Sequence, residues 1–281
     1  MTSALEITSA TPAPYYRRGF SSLGCGELNL AEISALATRF DIRDLELRVI
    51  SGRLDLPAWF AETGLDAASE FLASAGQRVI VLGTSVRLFE GTKGLDELRA
   101  FARLARRLGC PWLRIFDGGL RNQPPRDAAG WQPALDLLAA WRDERAASGW
   151  TCDVLIETHD ALVTNASVVE LAARAQDGLN ILWDSHHTWA VGGEPIADTW
   201  RTLRPWIRHI HVKDSAPAAD GKRAYVLPGH GDFPFAELDA LLRSDAYDGV
   251  LSLEWERHWH PHLPALPAAL AVWQNLSAFR S

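Results

Sequence analysis

The chain is poor in several features that define large classes of protein. Its 281 residues contain only three cysteines, far apart and in no CxxC pair, so we expect free thiols rather than a disulfide framework. No stretch reaches the roughly eighteen consecutive apolar residues of a transmembrane helix. The first twenty residues also lack a basic segment followed by an apolar one, so no secretory signal is expected. Together these absences predict a cytoplasmic protein with no membrane partner.

Positive charge is also scarce. The 35 acidic residues outnumber the 28 lysines and arginines, which gives a net charge of −7. A protein that binds a nucleic-acid backbone needs a basic face, so we do not expect a nucleic-acid partner. No glycine-rich phosphate loop follows an early strand, which disfavours a doubly wound dinucleotide-binding sheet.

What the chain does have is a regular alternation of short apolar strands with amphipathic helices. Eight strand–helix units can be counted, and most of the strands are apolar enough to be buried on both faces. The segment 94–110 is the clearest helix, with apolar residues on one face and arginines on the other. The pattern predicts an α/β protein with a single (β/α)₈ TIM barrel at 16–281, preceded by a loose arm at 1–15.

Polar side chains follow four consecutive predicted strands, the fifth to the eighth. The carboxyl ends of barrel strands meet at one mouth, where active sites of such barrels lie. In the seventh strand, alternate residues point to the same face, so two imidazoles and an ammonium are predicted to point inward together. These side chains are Glu157 and His159, then Asp184, His186 and His187, then His209, His211 and Lys213, then Glu254 and Glu256.

Two glutamates, one aspartate and one histidine among them form a donor set for a divalent cation. Buried carboxylates would otherwise repel and raise one another's pKa, and a cation removes that cost. A single acid at a strand end is as often a salt-bridge partner, but four on successive strands are hard to explain in that way. Without thiolates the set suits Mn²⁺ first, with Mg²⁺, Co²⁺ or Zn²⁺ as alternatives. The predicted ligands are Glu157, Asp184, His211 and Glu254.

Other polar residues are consistent with more than one role. His209 lies deeper along its strand than His211, so we expect it to support that residue rather than bind the metal. Glu46, Arg114 and Asp117 follow earlier strands, and each is equally consistent with a salt bridge in the barrel wall and with a substrate contact.

Several of these motifs resemble those of the xylose isomerase-like TIM barrels, also called the sugar phosphate isomerase/epimerase superfamily. The resemblance lies between residues 150 and 261, in LIETHD, WDSHH, HIHVKD, LPGHGDFP and LSLEWERHWHP. It implies that the three acids and one histidine named above are the ligands of one metal ion. The residues predicted to bind substrate are His187, Lys213, His159, Glu46 and Arg257.

The resemblance also implies an activity. We expect a metal-dependent isomerase or epimerase of a sugar, keto-sugar or cyclitol, in which Glu157 and Glu254 exchange a proton on a carbon next to a carbonyl. The metal would stabilise the enediolate as a Lewis acid. Ketose 3-epimerases of the family usually carry an arginine six residues after the metal-binding histidine, but here that residue is Pro217, which disfavours a free-ketose epimerase.

Two other readings remain open. The first is a lyase on the same scaffold: an inosose-type or dehydroshikimate-type dehydratase, or an enzyme that eliminates the aglycone of a 3-keto-glycoside. The additional histidines at the mouth favour it. His159 or His187 could act as the base or could give a proton to the leaving group. The second is a sugar-binding barrel without chemistry, which the intact ligand set argues against. In each case the partner is a small carbohydrate, and the resemblance also suggests a homo-oligomer.

Overall fold

The computed structural model describes residues 16–175 and 178–276, so the predicted arm at 1–15 and the end of the chain at 277–281 lie outside it. Within those ranges the chain forms ten strands. They are Arg17–Ser21 (β1), Asp44–Leu47 (β2), Arg78–Arg87 (β3), Trp112–Phe116 (β4), Asp153–Glu157 (β5), Ile181–Asp184 (β6), Ile207–Val212 (β7), Asp214–Pro217 (β8), Arg223–Val226 (β9) and Val250–Leu253 (β10).

Eight of these strands are parallel and close into one barrel, in the order β1, β2, β3, β4, β5, β6, β7, β10 and back to β1. This confirms the predicted (β/α)₈ barrel. The remaining two strands, β8 and β9, form a separate antiparallel hairpin. The described helices are Leu30–Arg39 (α1), Leu56–Thr63 (α2), Leu65–Ser74 (α3), Leu95–Leu108 (α4), Ala128–Ser148 (α5), Asn165–Ala175 (α6), Ser185–Ala190 (α7), Ile196–Leu203 (α8), Phe235–Ser244 (α9) and Leu266–Asn275 (α10).

Helix α4 shows how the sequence produces these elements. Leu98, Phe101 and Ala105 recur at helical spacing and are buried, whereas the arginines of the same helix lie on its other side. The helix ends at Gly109, whose backbone is left-handed with φ of 64°. Glycine adopts this conformation without the steric cost of a Cβ atom, so it stops the helix and directs the chain into β4.

The period of two along each strand divides the barrel interior into layers. Leu155, Leu182 and Val250 belong to one small buried apolar cluster. Each of them lies two or four residues before an acid at the carboxyl end of the same strand, and therefore points to the same face as that acid. The apolar cluster closes the barrel below, and the polar side chains lie above it.

The structure corrects two details of the sequence reading. Strand β6 ends at Asp184, so His186 and His187 lie in the first turn of α7 and not in the strand. The reason is a helix cap, because Asp184 Oδ1 accepts the backbone N–H of His187 at 2.8 Å. Strand β7 likewise ends at Val212, and the chain then enters the unpredicted hairpin β8–β9.

The hairpin and the loop after it are held by one buried carboxylate. Asp214 accepts backbone N–H groups from Gly229 at 2.7 Å, Gly231 at 2.9 Å and Phe233 at 3.1 Å. A Cβ atom on Gly231 would lie 2.4 Å from Asp214 Oδ1, so only glycine fits there. This arrangement explains the glycines of the LPGHGDFP segment.

No helix in the described ranges is long and apolar enough to cross a bilayer.

Candidate metal centre and active site

The four predicted ligands meet at the carboxyl mouth of the barrel. Glu157, Asp184, His211 and Glu254 each offer one ligand atom, and these atoms all lie within 4.8 Å of one another. His211 Nδ1 is 3.4 Å from Glu254 Oε2 and 3.6 Å from Glu157 Oε1. All four side chains are buried. The geometry therefore brings one oxygen or nitrogen donor from each of four neighbouring strands to one point.

Strand register explains this convergence. Asp184 lies opposite His211 in the β6–β7 pair, and Ser252 lies opposite His211 in the β7–β10 pair. Glu254 follows β10 directly, and its backbone N–H continues the ladder by donating to the Val212 carbonyl at 3.0 Å. Neighbouring strands thus place their last inward-pointing residues at almost the same height.

Lys213 lies among the ligands rather than at the outer rim. Its side chain is fully buried, and its Nζ is 2.9 Å from Asp184 Oδ2 and 2.7 Å from Glu256 Oε1, with a further short contact to Glu254. Burial acts to lower the pKa of Lys213, but these three carboxylates raise it well above its usual value. Its positive charge therefore faces the carboxylates.

Charge and hydrogen bonding both fit a divalent cation here. Burial raises the pKa of Asp184 to about 7, although Lys213 opposes the shift. Within the described residues, both Glu157 oxygens and His211 Nδ1 make no hydrogen bond. Three buried carboxylates converge on this point, and a divalent cation would offset the repulsion among them.

Arg114 proves to be a partner of a predicted ligand. Its Nε lies 3.3 Å from Glu157 Oε2, and its Nη1 donates to the Thr84 carbonyl at 3.0 Å. Burial and the charge of Glu254 act to raise the pKa of Glu157, but Arg114 and His211 bring it below its usual value. Glu157 is therefore held as a carboxylate in a fixed orientation.

Two histidines lie beside the ligand set. The rings of His159 and His187 are 4.8 Å apart and nearly perpendicular. His159 Nδ1 is 3.1 Å from Asp160 Oδ1. Burial acts to lower the pKa of His159, but Asp160 and Glu157 raise it to about 9. His187 Nδ1 lies 3.1 Å from Asp184 Oδ2 and 3.2 Å from the Thr158 carbonyl.

The third residue that was uncertain from the sequence, Asp117, orders the loop that carries His159. Its fully buried carboxylate accepts backbone N–H groups from Asp160 at 2.8 Å and from Leu162 at 2.5 Å, with a longer contact to that of His159. The loop after β5 is thereby fixed against the end of β4. Asp117 therefore positions this loop. Within the described residues, its hydrogen bonds do not reach the four predicted ligands.

The remaining predicted site residues lie farther from the mouth. Glu46 is buried beneath the ligands, where it binds His211 and His209. Arg257 pairs with Glu27 at 2.6 Å in the loops outside the ligand set. Sequence reasoning missed the role of Glu256 as a partner of Lys213, although its spacing of two from Glu254 was a usable signal.

Comparison with known proteins places this geometry in a family. A family model described as xylose isomerase-like TIM barrel matches residues 35–276. The chain belongs to the xylose isomerase-like TIM barrel family. This confirms the resemblance inferred from the motifs. Solved structures with a similar fold include the 3-keto-D-glucoside 4-epimerase YcjR of E. coli, with a TM-score of 0.67 at 16% identity, covering 85% of this chain and 91% of that one.

Three individual proteins illustrate the similarity. A 3-dehydroshikimate dehydratase of Bacillus anthracis is 32% identical over 175 residues, covering 53% of this chain and 61% of the dehydratase. The C-glycoside deglycosidase alpha subunit of Microbacterium trichothecenolyticum is 33% identical over 96 residues, covering 34% of this chain and 24% of that subunit. The matched regions are thus less than two thirds of either relative. The solved structure of the IOLI protein with a bound zinc atom superposes with a TM-score of 0.75 at 16% identity, covering 94% of this chain and 98% of that one.

Proposed function

We propose that this protein is a divalent-metal-dependent lyase. Its substrate would be a small polyhydroxylated ketone, such as a cyclic keto-polyol or a keto-glycoside, that carries a leaving group two carbons from the carbonyl carbon. The observation that carries the proposal is the placement of His159, which is not a ligand, two residues after Glu157 at the end of β5. Elimination needs a base for one proton and an acid for the leaving group, and this pair supplies both.

The first part of the reaction belongs to the ligand set. A divalent ion bound by Glu157, Asp184, His211 and Glu254 would supply Lewis acidity toward the substrate carbonyl. The Glu157 carboxylate, fixed by Arg114, takes the proton from the carbon next to that carbonyl. Lys213 holds the carboxylates of Asp184 and Glu256 in place beside the reaction centre.

The second step, loss of the leaving group, takes place at the mouth of the barrel beside His159. The electron pair of the broken C–H bond becomes a new C=C bond as the bond from the next carbon to its oxygen substituent breaks. His159, oriented by Asp160, gives a proton to the departing oxygen. The products are an unsaturated ketone and water or an alcohol, with no net oxidation or reduction. The name of one curated relative, a 3-dehydroshikimate dehydratase, supports this choice over isomerisation, because a dehydratase eliminates water.

An isomerase or epimerase is the second candidate. Glu157 and Glu254 come from β5 and from the end of β10, and both lie within 3.6 Å of His211 Nδ1. Two carboxylates around one carbon could remove a proton from one face and return it to the other. Pro217, in place of the arginine of ketose 3-epimerases, counts against this candidate.

Product analysis separates the two candidates. We would incubate the metal-loaded protein in D₂O with a panel of inososes, dehydroshikimate-like acids and 3-keto-glycosides, and follow each mixture by ¹H NMR. A lyase gives an unsaturated ketone with release of water or aglycone. An isomeric product that carries solvent deuterium, with no unsaturated product, would contradict the lyase and support the epimerase.

Several details remain part of the proposal. Mn²⁺ is the first choice of metal, because three carboxylates and one imidazole are hard to borderline donors, and Zn²⁺, Mg²⁺ and Co²⁺ are the alternatives. The homo-oligomer and the cytoplasmic location stay predictions. Metal analysis of the purified protein tests the identity of the metal, and its mass by light scattering tests the homo-oligomer.

A further inference from the structure

We infer that Glu46 positions the metal ligand His211 by accepting the proton of its Nε2 atom, which reserves Nδ1 for the divalent cation. This inference rests on the proposed metal chemistry. It gives Glu46 a role that differs from the substrate contact expected from the sequence. Glu46 is thus a positioning residue that acts through His211.

The two nitrogens of the His211 ring face different partners. Nε2 lies 2.7 Å from Glu46 Oε2, whereas Nδ1 faces Glu254 at 3.4 Å and Glu157 at 3.6 Å. A neutral imidazole carries one proton, and the nitrogen that binds a metal must be the other one. A carboxylate at hydrogen-bond distance from Nε2 fixes the proton there. Nδ1 then presents its lone pair to the point where the carboxylates converge.

The surroundings of Glu46 favour this role over substrate binding. Its side chain is only 1% exposed, below the ligand set on the inner face of β2. His209 lies two residues before His211 on β7, and its Nε2 is 3.3 Å from the same Oε2 atom. Within the described residues, Glu46 Oε2 thus contacts two histidines, and His211 is the one predicted to bind the metal. The second histidine restrains the carboxylate from below and keeps it aimed at His211.

The test measures metal affinity rather than turnover. Metal-stripped wild type, Glu46→Gln and Glu46→Leu would be titrated with Zn²⁺ in competition with a chromophoric chelator. Loss of such a carboxylate partner typically weakens metal binding about 10- to 100-fold, and we expect that loss for Glu46→Leu. Glu46→Gln should lose less, because its amide oxygen can still accept the Nε2 proton but carries no charge.

Ser252→Ala is the matched control. Ser252 is buried and lies opposite His211 in the β7–β10 pair, and its hydroxyl has no hydrogen-bond partner within the described residues. This variant should bind Zn²⁺ as tightly as wild type. If Glu46→Leu folds and also binds as tightly as wild type, the inference is overturned while the proposed lyase stands. If wild type binds no divalent ion, the proposed function fails as well.

A second measurement needs no variant of Glu46. In zinc-loaded wild type with ¹⁵N-labelled histidine, long-range ¹H–¹⁵N spectra report which ring nitrogen carries the proton. We expect a protonated Nε2 and a metal-bound Nδ1 for His211, with the signal assigned by its loss in His211→Asn. A metal-bound Nε2 would overturn the inference even if the Glu46 variants did not fold.

Discussion

Lys213 and Asp184 form a fully buried ion pair at the ends of neighbouring strands, with Nζ 2.9 Å from Oδ2. The same ammonium also contacts Glu254 and Glu256. The lysine therefore neutralises part of the acidic cluster from within, and a divalent cation would neutralise the rest. This shared neutralisation links metal binding, stability and turnover in one group of side chains.

The first prediction concerns Lys213→Met. Removing one partner of a buried ion pair leaves uncompensated charge and typically costs about 3–5 kcal/mol. We expect a loss of that size in the free energy of unfolding without metal, measured by urea denaturation in EDTA, and a smaller loss when Mn²⁺ is added. Lys222→Met, in the exposed turn between β8 and β9, is the control and should change stability by less than about 0.5 kcal/mol. Equal stability of the two variants would contradict the role of Lys213.

The second prediction concerns His159→Asn. If His159 delivers the proton to the leaving group, its removal should lower turnover about 10²- to 10⁴-fold. Metal content should stay at the wild-type value because His159 is not one of the four ligands. The measurement is the rate on whichever ketone of the panel is consumed, together with metal analysis. His262→Asn, an exposed histidine outside the site, should retain wild-type turnover, and full activity of His159→Asn would refute the assignment.

The third prediction concerns Gly231→Ala in the loop held by Asp214. The added Cβ would lie 2.4 Å from both Asp214 Oδ1 and the Ser215 carbonyl oxygen, so the loop must move and lose hydrogen bonds to the carboxylate. We expect a loss of about 1.5–3 kcal/mol in the free energy of unfolding, as for other hydrogen bonds to charged groups. Gly193→Ala is the comparison. It has φ of 70° and open space, so only the backbone cost of about 1–2 kcal/mol applies. A smaller loss at Gly231 than at Gly193 would be inconsistent with this packing.

The fourth prediction concerns the free cysteines. Burial raises the pKa of Cys25 to about 12 and that of Cys152 to about 11, and Cys110 is buried as well. Because the thiolate is the reactive form, Ellman's reagent at pH 8 should not label the native protein. After denaturation, three thiols per chain should react. Rapid labelling of any thiol in the native state would show that its pocket opens.

The sequence could predict the barrel and the convergence of the ligands for a simple reason. Each predicted ligand lies on the inward-pointing face at the carboxyl end of its strand or, for Glu254, directly after it, so the alternation along the strand and the parallel order of the strands determine its position. Glu157, Asp184, His211 and Glu254 therefore meet in the structure as expected. No long-range information beyond the fold class was needed for these residues.

Other parts of the site depend on contacts that the pattern does not contain. The hairpin β8–β9 follows β7 because Asp214 binds backbone groups as far away as Phe233, and no local periodicity indicates such a bond. The inward direction of Lys213 could be predicted, and the spacing of two between Glu254 and Glu256 was a signal for its partner, but the contact itself depends on the path of the chain after β10. The role of Glu46 likewise depends on which nitrogen of His211 faces it across the barrel.

We propose that Glu157, Asp184, His211 and Glu254 hold one catalytic divalent cation. The most direct measurement is metal content by mass spectrometry after dialysis against Mn²⁺ or Zn²⁺, for wild type and for folded Glu254→Gln. We predict one ion per wild-type chain, and weaker binding with loss of turnover in the variant. Full metal content and full activity in Glu254→Gln would show that Glu254 is not a ligand of a catalytic metal ion.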